Sequence, residues 1–273
     1  MFVYFQITGQ LYYHKIGTKQ EDDILVYADA EHPQWIFGGE VSDDGEYLLM
    51  TSSESTDPVN RLYIAKLDKA VGVTTASVPS FVKVVDTFEA EYSYITNDGP
   101  LFYFKTNKHA PKYKVVSLDF SDTTKAAVFV DLLPESEDPL QSANVVAEDK
   151  LVVTYLHDVK DVLLIHDLKT GKLVQDLKID IGTVSSITGR KKDTHFFYQH
   201  VSFLSPGIIH HVEAATGAST VFRETKVKDF DRSEFKAEQV FYTSKDGVTK
   251  IPMFLLSRKV SKKRETNYEP INE

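Results

Sequence analysis

Apolar and polar residues alternate along this chain in short runs, and the runs come in sets. The stretch Val41 to Asp68 reads VSDDGEYLLMT, then a polar linker TDPVNR, then RLYIAKLD, which is one hairpin followed by a further strand. The same plan returns as ITNDGPLFYFKT with KYKVVSLDF, as VAEDKLVVTYL with DVLLIHDL, and as ITGRKKDTHFFYQ with GIIHHVEA. Equivalent third-strand points at Arg61, Tyr113, Val162 and Ile208 recur with an elastic period of about 50 residues, which points to the blades of a β-propeller. No window keeps an i, i+3, i+4, i+7 apolar pattern, so helix content is expected to be low.

Turn chemistry sharpens the units. WIFGGEVS, starting at Trp35, is the expected inner strand of the first complete unit, EYLLMT the second, RLYIAKL the third and FVKVVD the fourth. Asp43-Asp44-Gly45 and Asn97-Asp98-Gly99 supply a residue free to take positive φ between first and second strands, while Glu148-Asp149-Lys150 and a Gly189 to Asp193 loop take that place later. Lys169-Thr170-Gly171 and Ala215-Thr216-Gly217 mark outer hairpins. Ahead of Trp35, LYYHKIG and DILVYAD match third and fourth strands, with residues 1–10 as a further strand in place of the missing inner pair.

In RLYIAKL, Leu62 and Ile64 point one way and Tyr63 and Ala65 the other, so the sheet is apolar on both faces. A lone sheet cannot bury two faces, whereas sheets packed side by side around an axis can. The expected fold is all-β: a partial seven-bladed propeller of about four and a half blades over residues 1–226, a linker over 227–237, a hairpin over 238–259 turned at Asp246-Gly247, and an unstructured tail over 260–273. The end blades expose apolar faces, so the isolated chain is expected to aggregate or stay partly open.

Composition changes the picture only by exclusion. A net charge of −9, from 40 acids and 31 bases, argues against a nucleic-acid partner, and the basic run Lys259 to Arg264 reads as a solvated tail. The absence of cysteine removes disulfides, thiolate metal sites and cysteine nucleophiles, and fits a reducing, cytoplasmic location. No apolar run is long enough to span a membrane, and MFVYFQITGQ lacks the basic start and apolar core of a signal peptide. His210 and His211 leave a strand on opposite faces, as do His166 and Asp167, and cannot chelate one ion; His157-Asp158 falls in an expected loop. The Asp-rich turns lack the spacing of calcium loops. Trp35 and Phe37 beside Gly38-Gly39 suit core packing or tunnel lining rather than a ligand platform. No cofactor and no metal is implied.

VSDDGEYLL with TDPVNRLY, FKTNKHAPKYKVVSLDF, YLHDVKDVLLIHDLKTG, KKDTHFFYQHVSFLSPGIIHH and QVFYTSKDGVTKIPMF together resemble the prolyl oligopeptidase family of serine peptidases, its animal prolyl endopeptidases in particular, from about Gln10 to Lys259. The resemblance implies a seven-bladed propeller over an α/β-hydrolase domain, with short proline-containing peptides cleaved after proline in the cavity between them. This chain is similar to the third or so through the seventh blade plus the first hairpin of the hydrolase portion. It carries no nucleophile elbow; the serine-rich GTVSSITG falls on an expected inner strand, so no catalytic residue is assigned here. The chain is therefore expected to be a truncated product or an incomplete gene model. Family resemblance places two substrate-binding positions at the propeller rim, Ile36 and Thr56, where animal relatives tend to carry methionine and cysteine. Two readings stand: the substrate-gating propeller of a monomeric prolyl-specific serine peptidase, inactive alone, or a noncatalytic propeller fragment that binds proteins or peptides.

Overall fold

The computed structural model describes residues 2–6, 9–68 and 70–259. An opening three-stranded sheet (sheet 1) is built from β1 (Phe2–Gln6), β2 (Gln10–His14) and β3 (Ile24–Ala28). Four four-stranded sheets follow. Sheet 2 holds β4 (Ile36–Val41), β5 (Tyr47–Ser53), β6 (Arg61–Lys66) and β7 (Val82–Val85), and sheet 3 holds β8 (Tyr92–Asp98), β9 (Leu101–Thr106), β10 (Lys114–Asp119) and β11 (Phe129–Leu133). Sheet 4 holds β12 (Leu140–Val146), β13 (Lys150–His157), β14 (Lys160–Asp167) and β15 (Leu173–Asp176). Sheet 5 holds β16 (Thr183–Thr188), β17 (His195–Ser202), β18 (Ser205–Glu213) and β19 (Ser219–Glu224). A separate hairpin pairs β20 (Phe235–Thr243) with β21 (Lys250–Arg258). Strands within each sheet follow chain order and pair antiparallel, the arrangement of a partial β-propeller.

The alternating pattern works as anticipated. Leu48, Met50 and Tyr63 pack toward sheet 1 with Leu11, Val26, Trp35 and Phe37. From the opposite face of the same strands, Tyr47, Leu49, Leu62 and Ile64 meet Tyr92, Phe102, Phe104, Val116 and Leu118 of sheet 3. Sheet 3 turns Tyr103 and Val115 toward Leu151 and Val153 of sheet 4, and sheet 4 turns Val152, Leu163 and Ile165 toward Phe196, Tyr198 and Val212 of sheet 5. Each full aliphatic or aromatic side chain buried this way contributes about 1.5–3 kcal/mol. Among the described residues sheet 5 has no such partner on its far face, where Phe197 touches His211 and Phe222, the last 66 % exposed.

Gly45 and Gly99 take the left-handed backbone that their hairpins need. Two other tight turns do so without glycine: Ala147 and Glu148 between β12 and β13, and Asp158 and Val159 between β13 and β14. His157 therefore closes β13 rather than lying in a loop, and its Nδ1 sits 2.8 Å from Asp138. The opening sheet has the further strand expected of residues 1–10: β1 pairs along β2 in register Phe2 to His14, which makes three strands in all. The tail over 260–273, and with it most of the basic run ending at Arg264, lies outside the described residues.

Candidate functional site

The first strand of each four-stranded sheet, β4, β8, β12 or β16, forms one edge of its sheet. These edge strands carry small or polar residues: Gly38-Gly39-Glu40 on β4, Ser93 on β8, Ser142 and Asn144 on β12, Ser185-Ser186 on β16. Bulges interrupt the pairing of three of them, between Tyr94 and Thr96, Leu140 and Ser142, and Val184 and Ser186, adding local twist at those points.

Between β4 and β8 lies a cleft of about 620 Å³. Thr51 and Ser53 of β5, the 56–60 loop, and Glu91 to Tyr94 complete its wall. Thr56 is exposed and lines this cleft. Ile36, at the start of β4, is not a lining residue; it pairs with Ser53, which is, and stands at the cleft edge 53 % exposed. The two positions named by resemblance are thus near the same opening, one in its wall and one beside it.

The Thr56 loop is held firmly although its tip is in solvent. Ser55 Oγ donates to Asp57 and accepts the Asp57 N–H, at 3.0 and 3.1 Å. Asn60, 6 % exposed, accepts the Tyr92 N–H at 2.7 Å and donates to the Arg61 and Tyr92 carbonyls. From sheet 3, Asn107 donates to the Pro58 carbonyl at 3.0 Å and accepts the Glu91 N–H at 2.7 Å. These two asparagines fasten the loop of sheet 2 to the first strand of sheet 3. Asn60 lies inside the TDPVNR motif, directly ahead of β6, and Asn107 directly follows β9, so nothing in the linear pattern announces a partner some thirty residues away.

Cleft electrostatics are acidic. Among the described residues Glu40, Asp57 and Glu91 line it, and no lysine or arginine does. Burial first, and the Asp43 charge second, push the Glu40 carboxyl above its ordinary range. Glu91 accepts from Ser93 Oγ at 2.7 Å and from the Tyr113 hydroxyl at 2.6 Å. Tyr113 holds a left-handed backbone, φ 66°, which a bulky residue adopts only under constraint, and burial followed by the Glu91 contact raises its phenol to about 12. Tyr94 accepts the Asp43 N–H and donates to Asn97, and burial raises its phenol strongly. Trp35 and Phe37 are core residues: Trp35 stacks on His32 with ring centres 3.8 Å apart and lies under the Arg61 guanidinium at 4.3 Å.

The turns joining first to second strands gather at the opposite end of these edge strands. Thr96 Oγ1 donates to Asp43 at 2.6 Å and Asn97 to Asp44 at 2.7 Å, joining sheets 2 and 3. Lys191, from the β16–β17 loop, reaches past sheet 4 to donate to the Asn97 carbonyl at 2.6 Å and to the Asp98 carboxylate, while the Lys191 carbonyl accepts the Glu148 N–H. This end is therefore laced by charged side chains, whereas the Thr56 end is open.

Comparison with known proteins gives a consistent result. The family described as the prolyl oligopeptidase N-terminal beta-propeller domain matches residues 6–225. The dual function macrocyclase-peptidase of Galerina marginata is 40% identical over 254 residues, 92% of this chain and 34% of its own length. Prolyl oligopeptidase A of Amanita bisporigera is 37% identical over 258 residues, 92% of this chain and 33% of its own. Among solved structures, apo prolyl oligopeptidase B from Galerina marginata superposes with a TM-score of 0.85 at 40% identity, covering 93% of this chain and 35% of that one. The same protein bound to a 25mer macrocyclization substrate gives 0.81 at 39% identity, covering 91% and 34%. The chain thus spans about a third of the length of the relatives it matches.

Proposed function

Because the chain belongs to the prolyl oligopeptidase family, as part of its N-terminal β-propeller domain, we propose that it is the substrate-gating portion of a serine-type endopeptidase that cleaves short peptides after proline. The observation that carries this reading is the cleft under the clamped Thr56 loop: open, acidic, and walled by backbone and hydroxyl groups suited to an extended peptide. A relative solved with a 25mer substrate supports peptides as the ligand class. In this reading Thr56 supplies a polar stretch of pocket wall and Ile36 an apolar rim, and the hydrolytic residues come from outside the chain. Residues 1–226 then act as the propeller portion, 227–237 as the link, and 238–259 as the first hairpin of the hydrolase portion. A cytoplasmic setting, supported by the lack of cysteine, and a monomeric state once both end sheets are covered complete it.

Two measurements test the proposal. A fluorescent proline-containing peptide should bind the chain, and Thr56→Trp, which fills the cleft from an exposed loop tip, should weaken binding about tenfold or more; unchanged affinity would remove Thr56 from the site. A chromogenic proline peptide should not be turned over by this chain. Turnover that survives repurification and is blocked by a serine-directed inhibitor would overturn the assignment of catalysis to residues outside it.

A further inference from the structure

Sheets 4 and 5 leave a second recess, about 480 Å³, between β12 and β16. Its wall is rich in hydroxyl and amide groups, including Ser142, Asn144, Thr154 and Ser186, with Ser142 and Thr154 hydroxyls 2.7 Å apart. One ionisable group lines it. Asp161, near the start of β14, is only 8 % exposed, and its Oδ2 accepts the Val184 N–H at 2.7 Å. The backbone around it is tightly built: the Asp161 N–H donates to the Gly182 carbonyl at 3.0 Å, and a side chain at Gly182 would meet the His200 ring at 2.4 Å.

No ion pair engages Asp161 among the described residues, and the one neighbouring charge that acts on it is His200. A carboxylate removed from water and given one neutral hydrogen bond is under-compensated. Burial accordingly raises its titration above the ordinary carboxylate range, with Val184 and His200 opposing. Among the described residues the recess therefore holds a buried carboxylate with no paired cation, beside hydroxyl and amide oxygens that can accept hydrogen bonds. An ammonium group offers three donors and no acceptor, which matches. A guanidinium fork prefers both oxygens of a carboxylate, and here one oxygen is already engaged by Val184.

We propose that the recess between β12 and β16 binds a primary alkylammonium group, with Asp161 as counter-ion and Ser142, Asn144 and Ser186 as its polar wall. The group is the end of a lysine side chain or of a free polyamine. The site is separate from the Thr56 cleft and stands or falls independently of peptide binding there.

Ligand-observed saturation-transfer NMR on the full chain tests this with n-butylammonium and its neutral counterpart n-butanol. Saturation of butylammonium and not of butanol is expected. Asp161→Asn should weaken that binding about tenfold or more, the scale of a lost charged hydrogen-bond partner. Ser186→Lys, at an exposed position in the wall, should do the same by placing an ammonium inside the recess. The other ionisable groups packed nearby are Asp180 ahead of β16, His200 on β17 and His210 on β18; the signal should fade as pH falls through the Asp161 titration, which burial raises, and Asp161→Asn should abolish that pH dependence. Competition by spermidine identifies a free amine as the ligand; competition by a lysine tripeptide and not by its norleucine analogue identifies a peptide. Equal saturation by butanol, binding retained in both variants, or competition by neither class overturns the proposal.

Discussion

Asn60 and Tyr92 share two hydrogen bonds across the seam between sheets 2 and 3, the Asn60 side-chain oxygen accepting the Tyr92 N–H at 2.7 Å and its nitrogen donating to the Tyr92 carbonyl at 3.3 Å. Both residues are buried, so neither backbone group has water as a substitute partner. Asn60→Ala is expected to cost about 1–3 kcal/mol, the penalty for orphaned buried groups. The urea midpoint should fall with an unchanged slope, and amide exchange at Tyr92 should accelerate.

Alkaline pH should unfold the chain earlier than lysine or arginine chemistry alone would. Burial raises the phenols of Tyr92 and Tyr113 to about 12, with Glu89 and Glu91 respectively adding to the shift. A group whose folded titration lies above its unfolded one gives stability that is complete below the unfolded value, about 10, and is lost as pH rises toward the folded value. Stability should therefore decline between about pH 10 and 12. Phenolate absorbance should rise in step with the loss of sheet signal. Tyr113→Phe should reduce that pH dependence while losing the hydroxyl bond to Glu91.

The chain contains one tryptophan, which makes its emission a local reporter. Arg61 lies over Trp35 at 4.3 Å and over Phe88 at 4.8 Å, and it pairs with Asp86 at 3.1 Å. Arg61→Met keeps the length of the side chain but removes the cation. A loss of about 1–2 kcal/mol is expected from the stacked contacts, with a shift in Trp35 emission in the folded state. Unchanged emission would mean that Arg61 does not sit over the ring in solution.

Self-association should trace to the far face of sheet 5. Phe222 is 66 % exposed there beside Phe197, and Phe203 is 58 % exposed at the adjoining turn. Light scattering should show concentration-dependent oligomers, and Phe222→Ser should raise the concentration at which they form. A monodisperse monomer with a sharp cooperative melt would count against this.

How far the sequence could be read depended on range. Strand positions and the two faces of β6 were legible because alternation is a local property, and Gly45 and Gly99 marked turns because glycine suits their backbone. The Ala147-Glu148 and Asp158-Val159 turns were not legible as left-handed, since residues with a Cβ normally avoid that region. Asn60, Asn107 and Asp161 owe their roles to partners on another sheet or in a linker, and periodicity carries no information about such pairings. Thr56 reached the cleft wall through its motif, while Ile36 shared its alternation with Phe37 and ended outside the wall rather than in it.

Because each core is shared by consecutive sheets, most stabilising contacts join segments that leave the ribosome close together. Such a chain has low entropic cost for each closure and can add units in order of synthesis. Lys191 is different: its bond to Asn97 closes a loop of 94 residues and bypasses sheet 4. That bond must await sheets 3, 4 and 5, so it acts as a late latch, and its formation would time the moment at which a nascent array of sheets becomes a fixed arc.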